Sequence, residues 1–410
     1  MIITELQQLY AAHPNVEGMY RLLQDNSVRH LYCSGLCASA ASLFSSVLIQ
    51  RVECPFVFIL GDLEEAGYFY HDLTQILGTE QVLFFPSSFR RAIKYGQKDA
   101  ANEILRTEVL SRLQKGEEGL CVVTYPDALA EKVVSRKELG DKTLKLHLGE
   151  KVDMDFVTEV LRSYSFEYVD YVYEPGQYAV RGSIIDVFSF SSEFPFRIDF
   201  FGDEVESIRT FEVESQLSKE KKENIVIVPD LSHSLEQRGN GGMVSFLDFL
   251  QPDTLLAMKD FLWLRERIQT VHDEAAQAIA AREAEENGLI SLDGKLIDGG
   301  EFTLRALDFR RIEFGTKPTE TPDATVTFNT TAQPIFHKNF DLVAESFHDY
   351  LSRNYALYIC SDSLKQTERI RAIFEDRGDN ISFTSVERTL HEGFADDALR
   401  LCIFTDHQLF

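Results

Sequence analysis

Four short β-prone runs, separated by helical stretches within residues 1–125, constrain this chain more than any other feature. The runs are His30-Leu-Tyr-Cys33, Pro55-Phe-Val-Phe-Ile-Leu60, Gln81-Val-Leu-Phe-Phe85 and Leu120-Cys-Val-Val-Thr124, with helical patterns at 38–50, 62–77 and 100–115 between them. Parallel strands need a crossover of about a dozen residues or more, whereas antiparallel strands close with a short turn, so this spacing predicts a mostly parallel sheet. Runs as continuously apolar as 55–60 belong to strands covered by helices on both faces. The expected class is α/β.

Near residue 146 the pattern changes. One helix over 153–163 precedes strands containing 168–172, 176–181, 184–190, 196–200 and 205–211, joined by Gly and Asp turns, which reads as a small inserted α+β domain. The polar stretch 215–224 and the Gly-rich 238–242 read as loop or linker. Apolar runs resume at 246–249 and 254–258, an Ala- and Glu-rich helical region follows at 265–287, and the Pro- and Thr-rich 316–325 reads as a hinge. From about residue 347 the α/β pattern returns, with strands at 356–360, 381–385 and 399–405 and a helix at 364–377. A chain of 410 residues exceeds the roughly 250–300 that one core serves. We therefore expect an α/β domain at 1–145, an inserted α+β domain at 146–232, a continuation at 233–345 packing on the first domain, and a small α/β domain at 346–410.

Net charge narrows the functional classes. At −25 the chain is repelled on average by the polyanionic duplex, so a stand-alone DNA-binding role is disfavoured. A partner that grips local arginines within an acidic field suits this composition better. No apolar run approaches the roughly 20 residues that span a bilayer, and the amino terminus lacks a basic start followed by an apolar stretch, so a cytoplasmic chain with no membrane partner is expected. The six cysteines, 33, 37, 54, 121, 360 and 402, form no CxxC pair and no zinc-spaced cluster with histidine, and read as reduced core thiols. The histidines are scattered, no G-x-S-x-G elbow occurs, and the acidic run 282–286 reads as a solvated helix face, so neither catalytic residues nor a metal site is expected.

The first strand runs into Gly35-Leu-Cys-Ala-Ser-Ala40-Ala41-Ser42. In a P-loop, G-x-x-x-x-G-K-[ST], backbone N–H groups cradle phosphates, the Lys neutralises them and the hydroxyl ligates Mg²⁺. Here Gly35 and Ser42 keep the frame, Ala40 stands where the second Gly would allow close approach, and Ala41 stands where the Lys should be. Small residues at a strand-to-helix turn also arise by chance. On either reading the turn offers no substitute cation, so no nucleotide cofactor and no ATP hydrolysis are expected.

One further segment carries a denser pattern. It reads Glu174-Pro-Gly-Gln-Tyr178-Ala-Val-Arg181-Gly-Ser-Ile-Ile-Asp186-Val-Phe188, and then Phe194-Pro-Phe-Arg197-Ile-Asp-Phe-Phe201-Gly-Asp203-Glu-Val-Glu206-Ser-Ile-Arg209-Thr-Phe211. Alternation puts Arg197, Asp199 and Phe201 on one strand face and Ile198 and Phe200 on the other. Gly202-Asp203 supplies a tight turn, which would set Phe201 at the end of a hairpin strand. Nothing in the immediate sequence of Arg181 is an obvious buried acid partner, although Asp186 and Asp199 are within reach. Two readings stay open: Arg181 pairs with one of these acids while Phe201 packs in the core, or these side chains are displayed at a sheet edge for a partner.

This segment resembles the second domain shared by UvrB and the bacterial transcription-repair coupling factors (Mfd), whose pattern PGx(F/Y)AxRGxxxDxF, then P-x-R-(I/L)-(D/E)-F-F-x-D-E, is met in order and spacing. The likeness extends more weakly along the whole chain and implies a multidomain α/β fold with a degenerate P-loop, helicase-like first domain. In that family the Arg positions of A-V-R-G and P-x-R and the second Phe of D-F-F meet UvrA, which carries over to Arg181, Arg197 and Phe201. UvrB itself has a working P-loop and a Tyr-rich hairpin; this chain has Ala40-Ala41 and only Phe84-Phe-Pro-Ser-Ser-Phe-Arg-Arg-Ala-Ile-Lys-Tyr95 at the corresponding place. Those departures favour the coupling-factor branch. The implied role is non-catalytic recruitment of UvrA to stalled RNA polymerase, by a piece of a longer ATP-dependent translocase whose polymerase- and DNA-engaging domains are absent here. The family also implies that a carboxy-terminal domain covers the surface until it is needed. A UvrB-like ATP-hydrolysing or DNA-translocating module is the alternative, and an unrelated α/β protein that borrowed the inserted domain is a third.

Overall fold

The structure is a computed structural model that describes residues 1–88, 100–231, 243–285 and 295–410. The Gly-rich 238–242, most of the 84–95 stretch and the end of the 282–286 acidic run lie outside the described residues. In chain order the elements begin with α1 (Ile3–Ala11), α2 (Pro14–Gln24), β1 (His30–Ser34), α3 (Ala40–Arg51), β2 (Phe56–Ile59), α4 (Leu63–Leu77), β3 (Val82–Phe85), α5 (Ala100–Lys115) and β4 (Cys121–Thr124). Next come α6 (Pro126–Ala130), β5 (Val133–Val134), α7 (Arg136–Asp141), β6 (Leu144–His147), α8 (Met154–Ser163), β7 (Glu167–Tyr168), β8 (Gln177–Arg181), β9 (Ile184–Val187), β10 (Phe196–Phe201), β11 (Glu204–Phe211), β12 (Ser218–Lys221) and β13 (Asn224–Ile227). The remainder comprises β14 (Met243–Val244), α9 (Phe246–Phe249), β15 (Leu255–Lys259), α10 (Phe261–Glu285), α11 (Gly299–Ala306), β16 (Arg310–Phe314), β17 (Ala324–Thr327), β18 (Thr330–Ala332), α12 (Phe340–Ser352), β19 (Ala356–Ser361), α13 (Leu364–Arg377), β20 (Thr384–Glu387), β21 (Phe394–Asp396), β22 (Leu401–Thr405) and α14 (Asp406–Leu409).

The architecture is multidomain α/β with mixed sheets. A seven-stranded sheet runs β17-β1-β16-β15-β2-β4-β3, and its pairings are parallel, as the helical crossovers require. Strand β2 is buried along its whole length, which is why its sequence is apolar without alternation. Strands β15, β16 and β17 enter this same sheet after the 146–232 insertion.

The inserted segment forms a six-stranded sheet, β12-β11-β10-β9-β8-β7, antiparallel except where β7 meets β8. Its inner face packs Tyr178, Ile185, Val187, Ile198, Phe200, Val205 and Ile208 against Val157 and Leu161 of α8, a core separate from that of the seven-stranded sheet. The polar run 215–224, expected to be loop, instead supplies the edge strand β12. Ser-Lys-Glu-Lys is poor core material, but an exposed edge strand tolerates it, and its charges discourage further pairing.

A third sheet, β18-β21-β22-β19-β20, mixes parallel and antiparallel neighbours. Its Cys360, Val386, Phe394, Leu401 and Ile403, together with Leu390 between β20 and β21, join the hydrophobic core of the seven-stranded sheet. Buried polar contacts add to that seam, where Tyr10 Oη donates to Asp396 Oδ2 at 2.7 Å and His13 Nε2 lies 3.4 Å from the same oxygen. All six cysteines are free, and burial raises the pKa of Cys33 to about 12. No helix among the described residues is long and apolar enough to cross a membrane, and none of their His, Cys, Asp and Glu side chains group in threes that could hold a metal ion.

Candidate docking surface and the P-loop position

The turn after β1 is held by contacts from distant parts of the chain. Gly35 has φ +77°, and an ideal Cβ there would sit 2.0 Å from the Phe328 carbonyl oxygen, so the backbone approach requires glycine. Thr330 Oγ1 donates to the Gly35 carbonyl at 2.6 Å and accepts from the Cys37 N–H at 3.0 Å. The Ser39 N–H donates to the Glu392 carbonyl at 3.3 Å, and the Glu392 N–H returns a bond to Ser39 Oγ at 3.0 Å. Ser42 Oγ, the group a metal would use in a P-loop, donates to Asp72 Oδ2 at 2.7 Å, while Asp72 Oδ1 accepts from the His391 N–H at 2.7 Å. The His391 ring also stacks on Tyr68, centroids 3.5 Å apart. Ala40 is buried, and Ala41 lines a cleft of about 400 Å³ together with Asp62, Glu64, Glu65, Asp72 and Glu392. The lysine among the lining residues, Lys259, is paired with Glu65. Loop N–H groups that would face phosphate in a P-loop thus bond to protein oxygens, and most of the charged residues lining the cleft are acidic.

On the inserted sheet the alternation expected for 197–201 is present: Phe196, Ile198 and Phe200 are buried, Arg197 and Asp199 half-buried and Phe201 exposed. Phe201 pairs with Glu204 across the Gly202-Asp203 turn, with Gly202 at φ +64°, so the phenyl ring stands at a hairpin tip, 78% exposed. A core role for Phe201 is thereby excluded. The arginines behave otherwise. Asp186, only 1% exposed, accepts from Arg197 Nε at 2.8 Å and Nη2 at 2.9 Å, and from Arg181 Nη2. Of the two acids within reach of Arg181 in the sequence, Asp186 is the partner, five residues on, because the β8–β9 hairpin folds it back. The pKa of Arg197 is raised, first by its hydrogen bonding to Asp186.

Arg197 lies inside the sheet, between β9 and β11, whereas Arg181 lies beyond the two residues of β8 that β7 pairs and has a strand neighbour on the β9 side only. The surface is thus a sheet face that reaches an open stretch of β8 on one side and ends in a hairpin tip. In register, Arg197 lies opposite Asp186 on one side and Arg209 on the other, and Arg209 lies opposite Lys221 of β12. Arg197 stacks over Phe211 at 4.5 Å and donates to the Gln216 carbonyl at 3.1 Å. Arg181 stacks over Tyr171 at 5.0 Å. Arg181, Arg197 and Phe201 therefore share one region of the molecule, whereas Gly35, Ala40, Ala41 and Ser42 form a separate one. Sequence reasoning offered Asp186 as a possible partner of Arg181 but not as a partner of Arg197 as well, and it passed over Tyr171, for which the Tyr-rich run at 168–173 was the available signal.

A multidomain α/β molecule with an inserted Arg- and Phe-bearing sheet matches known proteins as follows. The sequence profile of the UvrB interaction domain matches residues 144–233. The transcription-repair-coupling factor of Bacillus subtilis (strain 168) is 22% identical over 449 residues, covering 92% of this chain and 38% of that protein. The transcription-repair-coupling factors of Escherichia coli (strain K12) and Haemophilus influenzae are each 29% identical, over 47% and 51% of this chain and 17% and 18% of their own lengths. The chain is homologous to these coupling factors at low identity and broad coverage, and it spans well under half the length of each.

Proposed function

We propose that this chain is a non-catalytic recruitment module that docks UvrA through Arg181, Arg197 and Phe201, within a longer protein whose other domains engage RNA polymerase and DNA. The observation that carries this reading is Phe201: a phenyl ring 78% exposed at a hairpin tip, at the end of the strand that carries Arg197, in a sheet where two guanidinium groups are held by a buried carboxylate. Exposing such a ring gains the isolated fold nothing, whereas aromatic and Arg side chains are the usual anchors of protein interfaces. Support for the non-catalytic part comes from Ala41 in place of a lysine and from loop N–H groups bonded to Thr330 and Glu392. Titrating the chain against purified UvrA tests the reading. Phe201→Ala and Arg197→Glu should each weaken binding by about 30-fold or more, an interface anchor being worth roughly 2 kcal/mol; unchanged binding in both would reject it.

A further inference from the structure

Among the groups that the docking reading leaves unused is Tyr171. Its segment is pinned on the outer face of the inserted sheet: the Val169 N–H donates to the Tyr178 carbonyl, Gln177 Oε1 accepts from the Tyr173 and Glu174 N–H groups, and Gln216 Nε2 donates to the Val172 carbonyl. Val172 is fully buried beside Ala179 and Phe211, which leaves Tyr171 facing outward and half exposed. There its ring lies 5.0 Å from the Arg181 guanidinium carbon.

We infer that Tyr171 is a positioning residue of the docking surface, a π platform that holds Arg181 with its free N–H groups turned toward a carboxylate on a folded protein partner. Asp186 is shared: Arg197 occupies both its oxygens, and Arg181 reaches it through Nη2 alone. One carboxylate therefore serves two guanidinium groups, leaving a net positive charge. A guanidinium carries five N–H donors in a fixed plane, so the remainder of the Arg181 set is available to a ligand. An unsupported Arg forfeits up to about 2 kcal/mol of rotamer freedom on binding; stacking removes much of that freedom beforehand. With Asp199 on the same face and Phe201 exposed, the surface suits a partner offering one carboxylate and an apolar cavity better than a continuous phosphate backbone.

This inference rests on the docking reading, and the experiment separates the two. Equilibrium binding to purified UvrA is measured for the parent, Tyr171→Ala, Tyr171→Phe, Phe201→Ala, Arg181→Ala and the Tyr171→Ala/Arg181→Ala double variant, each checked for an unchanged melting curve. Tyr171→Ala should weaken binding by about 3- to 30-fold, Tyr171→Phe should stay near the parent because the ring face rather than the hydroxyl is used, and Tyr171→Ala should add little once Arg181 is gone. If Tyr171→Ala binds like the parent, or weakens binding equally with and without Arg181, the inference fails while a Phe201→Ala defect leaves docking intact. If Phe201→Ala also binds normally, the docking reading itself is wrong. A parallel titration with duplex DNA should show no binding that depends on Tyr171; such binding would replace the protein partner with nucleic acid.

Discussion

Removing the carboxylate beneath the two arginines is the sharpest perturbation of the inserted sheet. In Asp186→Ala, Arg197 loses a two-pronged charge-assisted bond at 2.8 and 2.9 Å, and with its side chain only 16% exposed it keeps the Gln216 carbonyl and the Phe211 ring but no counter-charge. Breaking a buried pair by deleting one partner costs about 3–5 kcal/mol, because the surviving charge remains desolvated. Arg181 is 37% exposed and can turn to water, so its share is small and the lower end applies. The expected loss is about 3 kcal/mol, which corresponds to roughly 10²-fold faster amide exchange where opening of the sheet governs exchange. Hydrogen exchange read on β8, β9 and β10 measures it, with β2 and β4 of the other sheet as internal reference, since the two cores are separate. Protection of β8 to β10 within about threefold of the parent would refute the argument that Asp186 anchors this face.

Two further outcomes follow from the α/β units. Gly35→Ala places a methyl group 2.0 Å from the Phe328 carbonyl in a left-handed backbone, so it should cost more than the roughly 1–2 kcal/mol of the conformation alone; an unchanged urea midpoint would exclude that contact. Burial alone would raise the Asp396 pKa, but the nearby His13 imidazole and hydrogen bonds from Tyr10 and the Leu399 N–H together hold it below the usual carboxylate value. A depressed folded pKa gives stability that is fully present above the unfolded value of about 3.9 and is lost as pH falls through the folded one. Acid titration should therefore show a step below about pH 4 that Asp396→Asn lacks, and equal acid slopes in the two proteins would contradict it.

How much was legible depended on the distance along the chain over which a feature is set. Strands β1 to β4 announce themselves because each is a local apolar run, and the two faces of β10 follow from the alternation of Arg197-Ile-Asp-Phe-Phe201. The strand at Ser218–Lys221 was illegible because an edge needs a neighbour, not hydrophobicity, and that neighbour is β11. Strands β17 and β18 fall within ten residues yet join different sheets, which no local periodicity encodes. The bonds between Ser39 and Glu392 span 353 positions, and nothing near either residue advertises the other. The interior position of Arg197 was missed for a related reason: a hairpin pattern gives pairing between two strands, while strand order is a property of the whole sheet.

The charge balance bears on how the proposed docking surface would select a partner. Arg181, Arg197 and Arg209 lie on β8, β10 and β11 of one sheet in a chain with a net charge of −25, and Arg197 and Arg209 face each other directly across β10 and β11. Like charges so placed destabilise a sheet unless something answers them. Asp186 answers Arg197 and Arg181, and Asp199 approaches Arg209 only to 3.9 Å. At physiological salt the Debye length is about 8 Å, so distant carboxylates neither cancel this local cation cluster nor strongly repel an acidic partner that has reached it. Long-range attraction is thus weak, and recognition at the proposed surface would fall to short-range fit between fixed guanidinium planes and a projecting phenyl ring. A surface of that kind gains selectivity through dissociation rates more than through encounter, which is why its anchors, rather than the total charge of the chain, should govern binding.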